Sequence, residues 1–294
     1  MTAIEDDALS LVTAALHRSR NRDGGWGYHA GRQSRLEATC WAALGTAVPL
    51  TDTPILAWQA PHGLLVEPAT HQTNYAFNGL AAVALAAEGS GTSDGAGHVV
   101  DALLASKGVR IPPSPAIRQD TTLQGWSWTD GTFTWVEPTA WCLLAVKRLR
   151  GHTRLGQARI AEAERVLHDR ECTGGGWNFG NGVVYGADLP AHVPPTVAGL
   201  IAMQDRPDTA LVERAWRFLE RQAPREHSLT ALAGAVLALG AVGRPVASLL
   251  DALAAQCRTS LGLENAAVLG MVAVALRSRD HEAGPRVFTL ARQP

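Results

Sequence analysis

The stretch "TWVEPTAWCLLAVKR", Thr134 to Arg148, decides how the chain is read. A glutamate followed by a proline is a helix-start signal. From Thr139 onward the stretch is almost wholly apolar, as in a helix buried on every side. Two further stretches line up with it. "SRLEATCWAALGTAV" begins at Ser34 and "AHVPPTVAGLIAMQD" at Ala191. Glu37, Glu137 and Pro194 then share one position, Thr39, Thr139 and Thr196 a second, and Trp41, Trp141 and Ala198 a third. Self-similarity of this kind fixes architecture before any single element does.

A Gly/Trp turn precedes each of the three: "RDGGWGYHAG", "LQGWSWTDG" and "TGGGWNFGNG". Glycines admit tight positive-φ backbone. Trp26, Trp126, Trp128 and Trp177 read as packing plugs where helices meet. Asp130 and Asp188 read as turn residues of these Gly-rich loops, within reach of whatever lies beneath. Weaker copies of the buried helix occur in "TNYAFNGLAAVALAAEG" from Thr73, "EHSLTALAGAVLALG" from Glu226 and "LENAAVLGMVAVALRS" from Leu263.

Between the buried stretches lie amphipathic ones with apolar residues at i, i+3, i+4 spacing. They are "DDALSLVTAALHRSR", "GQARIAEAERVLHDR", "DTALVERAWRFLERQ" and "PVASLLDALAAQCRT", with "GHVVDALLASKG" fitting less well. The region "TPILAWQAPHGLL" should supply a sixth, but Pro61 and Gly63 cut it short. Buried helices alternating with amphipathic ones predict an all-α fold of two concentric rings, an (α/α)6 toroid, in one domain over residues 1–294. No sustained period-2 alternation competes. The Pro-rich "GVRIPPSPAIRQD" is a loop, too short for a domain linker.

Bulk properties narrow the function. Of 294 residues, 46% are apolar and 18% charged, and the formal net charge is -1. That balance gives no electrostatic case for nucleic acid or an anionic membrane. The four cysteines, Cys40, Cys142, Cys172 and Cys257, form no CxxC pair. Reduced thiols at this length fit a cytoplasmic location. The acidic start "MTAIEDDALSL" lacks the basic region of a signal peptide. The longest uncharged apolar run, Ser228 to Gly243, falls short of the ~20 residues of a membrane span.

The motifs "GGWGY", "LQGWSW" and "GGGWNF", with the "ExTxW" helix starts, resemble the squalene cyclase and protein prenyltransferase β-subunit superfamily of α/α toroids. The resemblance covers nearly the whole chain. It implies an apolar or isoprenoid small-molecule substrate in the barrel. Glu137 matches the central proton donor of the cyclases' DxDDTA motif, while Trp135 and Pro138 replace its acidic flanks. The prenyltransferase zinc triad is missing, since Glu137-Pro138-Thr139 and Pro194-Pro195-Thr196 stand where it should be, and His192 has no thiolate companion. Lanthionine-type zinc chemistry lacks its Cys-His pair. No metal and no cofactor is therefore expected.

The resulting expectation is an isoprenoid cyclase-like enzyme with Glu137 as general acid. A lone carboxyl can serve if burial raises its pKa. Trp135, Trp141, Tyr75 and Phe77 would line the pocket and face a carbocation with their rings. His71, His192 and His227, with Glu37, Asn74, Thr139, Glu226 and Glu264, would ring one mouth, because the inner helices of such a toroid run roughly parallel. Glu137 equally reads as a helix-start residue that complements the dipole, as Glu37 does. Two other functions stay open. One is a non-catalytic toroid binding a lipid-like ligand or a protein. The other is a sugar hydrolase using a pair among Glu37, Glu137 and Glu264.

Overall fold

A computed structural model of the chain describes residues 3–89, 92–207, 209–259, 265–278 and 287–290. Among them it is mostly helical, with eleven α-helices: α1 (Ala3–Ser19), α2 (Leu36–Thr46), α3 (Tyr75–Ala87), α4 (Ser93–Ala105), α5 (Val136–Arg150), α6 (Arg154–Asp169), α7 (Val193–Ala202), α8 (Ala210–Gln222), α9 (Leu229–Ala241), α10 (Ala247–Thr259) and α11 (Ala266–Arg277). None of the helices among the described residues is long and apolar enough to cross a membrane.

The helices divide as their sequences require. In α9 nearly every residue from Ala231 to Leu239 is buried, and α2, α3, α5, α7 and α11 are alike. The intervening helices bury one stripe. In α8 it is Leu211, Val212, Ala215, Trp216 and Leu219, the i, i+4, i+8 pattern of an amphipathic helix. Each buried helix packs on the next: α2 on α3, α3 on α5, α5 on α7, α7 on α9, α9 on α11, and α11 back on α2. Helices α1, α4, α6, α8 and α10 pack against the flanks of these six.

Neighbouring buried helices meet at matching depths from their starts. A Cβ on Gly79 of α3 would come 2.6 Å from the Trp141 backbone of α5, and one on Gly270 of α11 would overlap the Trp41 carbonyl of α2. Only glycine lets backbones approach this closely. Gly234 of α9 meets Val197 of α7 in the same register. Between α2 and α11 the contacts climb together, Trp41 with Gly270 and then Gly45 with Ala273, so these two helices run parallel.

Two expectations change. The place of the sixth amphipathic helix is taken by short 3-10 turns at Leu50–Asp52 and Ile55–Trp58, because the prolines at 49, 54 and 61 interrupt α-helical hydrogen bonding. The segment "GHVVDALLASKG" is a full helix, α4, whose buried Val99, Val100, Leu103 and Leu104 form its stripe. A small ribbon also pairs β1 (Val183–Val184) with β2 (Ala187–Asp188). Tyr185 and Gly186 both take positive φ in its turn. All four cysteines are buried and free.

Candidate functional site

The repeat alignment acquires a physical meaning at the starts of α2, α5 and α7. Thr39 Oγ1 accepts from the Trp26 backbone N–H at 3.0 Å and donates to the Trp26 carbonyl at 3.2 Å. Thr139 does the same with Trp126 at 3.1 and 3.3 Å, and Thr196 with Trp177 at 2.9 and 3.2 Å. Each indole N–H reaches the end of the preceding helix: Trp26 to the Leu16 carbonyl, Trp126 to Leu103 and Trp177 to Leu167, at 2.7, 2.9 and 2.7 Å. One tryptophan thus ties an outer helix end to a buried helix start. The glycine before it is obligatory, since a Cβ on Gly176 would lie 2.8 Å from Thr196 Oγ1.

This clamp corrects one expectation. Thr139 is wholly buried and its hydroxyl is spent on Trp126, so it faces no ligand. Tyr75 is buried, and its hydroxyl donates to Asp130 Oδ1. Burial and that bond push its pKa up to about 12. Tyr75 and Asp130 together hold the 126–133 loop over α3.

The second residue of the clamped helices stays partly open to solvent: Glu37 in α2, Glu137 in α5 and Pro194 in α7. On the other buried helices Phe77, Thr230 and Val268 are open at the second or third position. All six helices so contribute one accessible side chain near their N-terminus. Four are uncharged and two are carboxyls.

Those carboxyls sense each other. Burial, and then the charge of Glu37, raises the Glu137 pKa to about 7, while a hydrogen bond with the Trp141 side chain pulls the other way. Burial also raises Glu37, opposed by a hydrogen bond from Tyr28 and reinforced by the charge of Glu67. Tyr28 Oη donates to Glu37 Oε2 at 2.7 Å, and Arg35 sits over the Tyr28 ring at 5.8 Å. Arg35 Nε in turn donates to Glu67 Oε2 at 2.7 Å. Glu67 is 4% exposed, and its Oε1 has no partner. A chain of contacts therefore runs Glu67, Arg35, Tyr28, Glu37, with Glu137 across from it.

Aromatic pairs flank the opening. Phe77 meets Trp128 edge to face at 6.3 Å, and Trp135 stacks on Phe133 at 4.9 Å. His192 lies 5.8 Å from Phe179. Deeper in, Trp41, Trp141 and Phe288 form a triangle with ring separations of 6.1, 5.4 and 5.7 Å. The triangle is almost dry, since these rings are 2%, 8% and 0% exposed.

His71 sits in a loop with positive φ, His192 precedes α7, and His227 precedes the Ser228 cap of α9; all three are exposed. Asn74 caps α3 by accepting from the Phe77 N–H at 3.1 Å. Glu264 lies outside the described residues. No group of three or more metal-binding side chains forms among the described residues. Tyr28, Arg35, Glu67 and Phe288 were not legible as site neighbours. Only Tyr28 carried a signal, its place in "GGWGY".

A cavity of about 920 Å³ lies against Lys147, Gln204, Trp216, Arg244, Thr289 and Leu290. Its lysine is already neutralised by Glu164 at 2.8 Å and Asp205 at 2.5 Å. Compared with known proteins, the chain matches no family model and none of the curated proteins.

Proposed function

We propose that the chain is an (α/α)6 toroid whose N-terminal mouth binds an oxygenated isoprenoid-like ligand and uses Glu137 as a general acid to cyclise it. The toroid is supported by the cyclic packing of six buried helices with amphipathic helices on their flanks. The acid role is carried by one observation. Glu137 is held near neutrality, with its pKa raised to about 7, at the N-terminal turn of its helix, and Glu37, Phe77, Pro194, Thr230 and Val268 are the partly exposed side chains at the other five helix starts. Such a group is half protonated at neutral pH and can both give and accept a proton.

Its strength selects the reaction. A carboxyl with that pKa is too weak to protonate an unactivated alkene carbon, whereas an epoxide oxygen is a far better acceptor. Glu137 gives its proton to that oxygen as the C–O bond opens. An internal alkene attacks the freed carbon and forms the ring C–C bond. The resulting cation sheds a proton from carbon to a carboxylate, so the net change is an isomerisation. The rings of Phe77, Trp128 and Trp135 supply the electron-rich faces that a passing cation needs. The Tyr28 hydroxyl donates to Glu37 and favours its charged form, against the burial that raises its pKa.

The test is incubation with epoxidised and unmodified polyprenes, with products extracted and analysed, for the parent and Glu137→Gln. A cyclic product lost in the variant supports the reading, and equal turnover by both ends it. The Trp41, Trp141 and Phe288 triangle favours a second reading, a non-catalytic carrier, because it fills the interior that a long substrate would need. Bound but unchanged ligand is the outcome that selects it.

A further inference from the structure

Phe288 reaches the centre of the helix ring from far along the chain. Its ring is fully buried, 5.4 Å from Trp41 and 5.7 Å from Trp141. The segment that carries it has no secondary-structure ladder of its own. Three side-chain contacts hold its backbone. Gln204 Nε2 donates to the Phe288 carbonyl at 2.8 Å, Gln204 Oε1 accepts from the Leu290 N–H at 3.1 Å, and Arg148 donates to the Val287 carbonyl. One side-chain amide thus bonds the backbone of the segment twice, once as donor and once as acceptor.

We infer that the space filled by Phe288 is a binding site for an aromatic or branched apolar group, occupied in cis by residues 287–290 of the same chain. Three observations carry this. The walls at Trp41 and Trp141 offer two indoles in tilted and edge-to-face contact, a geometry suited to an aromatic or branched guest. Gln204 and Arg148 bond the backbone of the segment through their side chains, contacts that substitution can remove while Phe288 stays in place. The cavity of about 920 Å³ abuts the outer side of the segment, with Thr289, Leu290 and Gln204 in its wall, and gives it somewhere to go.

The site lies just below the mouth. Trp141 touches Phe288 with its ring and hydrogen-bonds Glu137. A guest that displaces Phe288 therefore extends the mouth site inward. The proposal concerns hydrocarbon binding and does not depend on acid chemistry at Glu137.

The experiment titrates the full chain with toluene, a probe with no oxygen to protonate, following tryptophan fluorescence and the thermal midpoint. Gln204→Ala removes two contacts of the competing segment and leaves the Phe288 side chain in place. Loss of two hydrogen bonds should raise the open fraction, and with it toluene affinity, about tenfold. Phe288→Leu, which keeps the interior filled, should gain several-fold and serves if Gln204→Ala does not fold. Toluene has no oxygen to protonate, so a failed acid mechanism at Glu137 leaves this test intact. A folded Gln204→Ala protein with parental affinity overturns the proposal.

Discussion

Helices α2, α5 and α7 begin differently from α3, α9 and α11. The second group caps itself: Asn74, Ser228 and Asn265 accept from their own first-turn N–H groups. The first group has Arg35, Trp135 and His192 at the cap position, and none bonds the helix from its side chain. There the tryptophan clamp fixes the helix start from outside. The cap and second positions are released from structural duty. Both carboxyls of the mouth, Glu37 and Glu137, stand on clamped helices. External bracing is what lets a helix start carry a chemically useful side chain.

The comparison can be broken most severely at the clamp. Trp126→Ala removes a fully buried indole, its bond to Leu103 and its stack with Arg159 at 4.1 Å. A loss of about 3–5 kcal/mol is expected, read by denaturant unfolding. At the mouth, the effect of Glu137→Gln depends on pH. The carboxyl pKa rises from its ordinary 4.5 to about 7, so the folded state binds the proton more tightly than the unfolded chain. Parent stability therefore falls as pH rises through that window and stays lowered above it. The glutamine variant lacks this fall. It should gain on the order of 2 kcal/mol at pH 8 and nothing at pH 4, after discounting for the open edge of the side chain.

Thr139→Val keeps the shape and strands the Trp126 N–H, for a loss of about 1–3 kcal/mol. Ser228→Ala removes a self-cap and should cost only about 1 kcal/mol. If the two losses came out equal, or in reverse order, the distinction between braced and self-capped starts would fall. Thermal melts of both variants at one pH would decide.

The alternation of buried and striped helices was legible because burial writes itself into local sequence. The shared position of Glu37, Glu137 and Pro194 was legible for the same reason: the repeat fixes it, and all three stay partly exposed in otherwise buried helix starts. The neighbouring column of threonines misled, since Thr139 looks polar beside an acid yet serves Trp126. The bond of Tyr75 to Asp130 was not legible, as nothing local reveals it. Phe288 was invisible, because no periodicity links it to Trp41 and Trp141. Side chains that meet only through tertiary packing leave no mark on spacing.

The clamps also bear on how the chain reaches this shape. Their indole bonds span 10, 23 and 10 residues, and their threonine bonds 13, 13 and 19. Such contacts form early, because short loops close at little entropic cost. The seam between α2 and α11, where Gly270 meets Trp41, joins opposite ends of the chain. It is the least local contact in the ring. The clamps are thus local brackets, whereas the packing of α2 on α11 demands that distant parts of the chain meet, the kind of contact that costs most chain entropy to form.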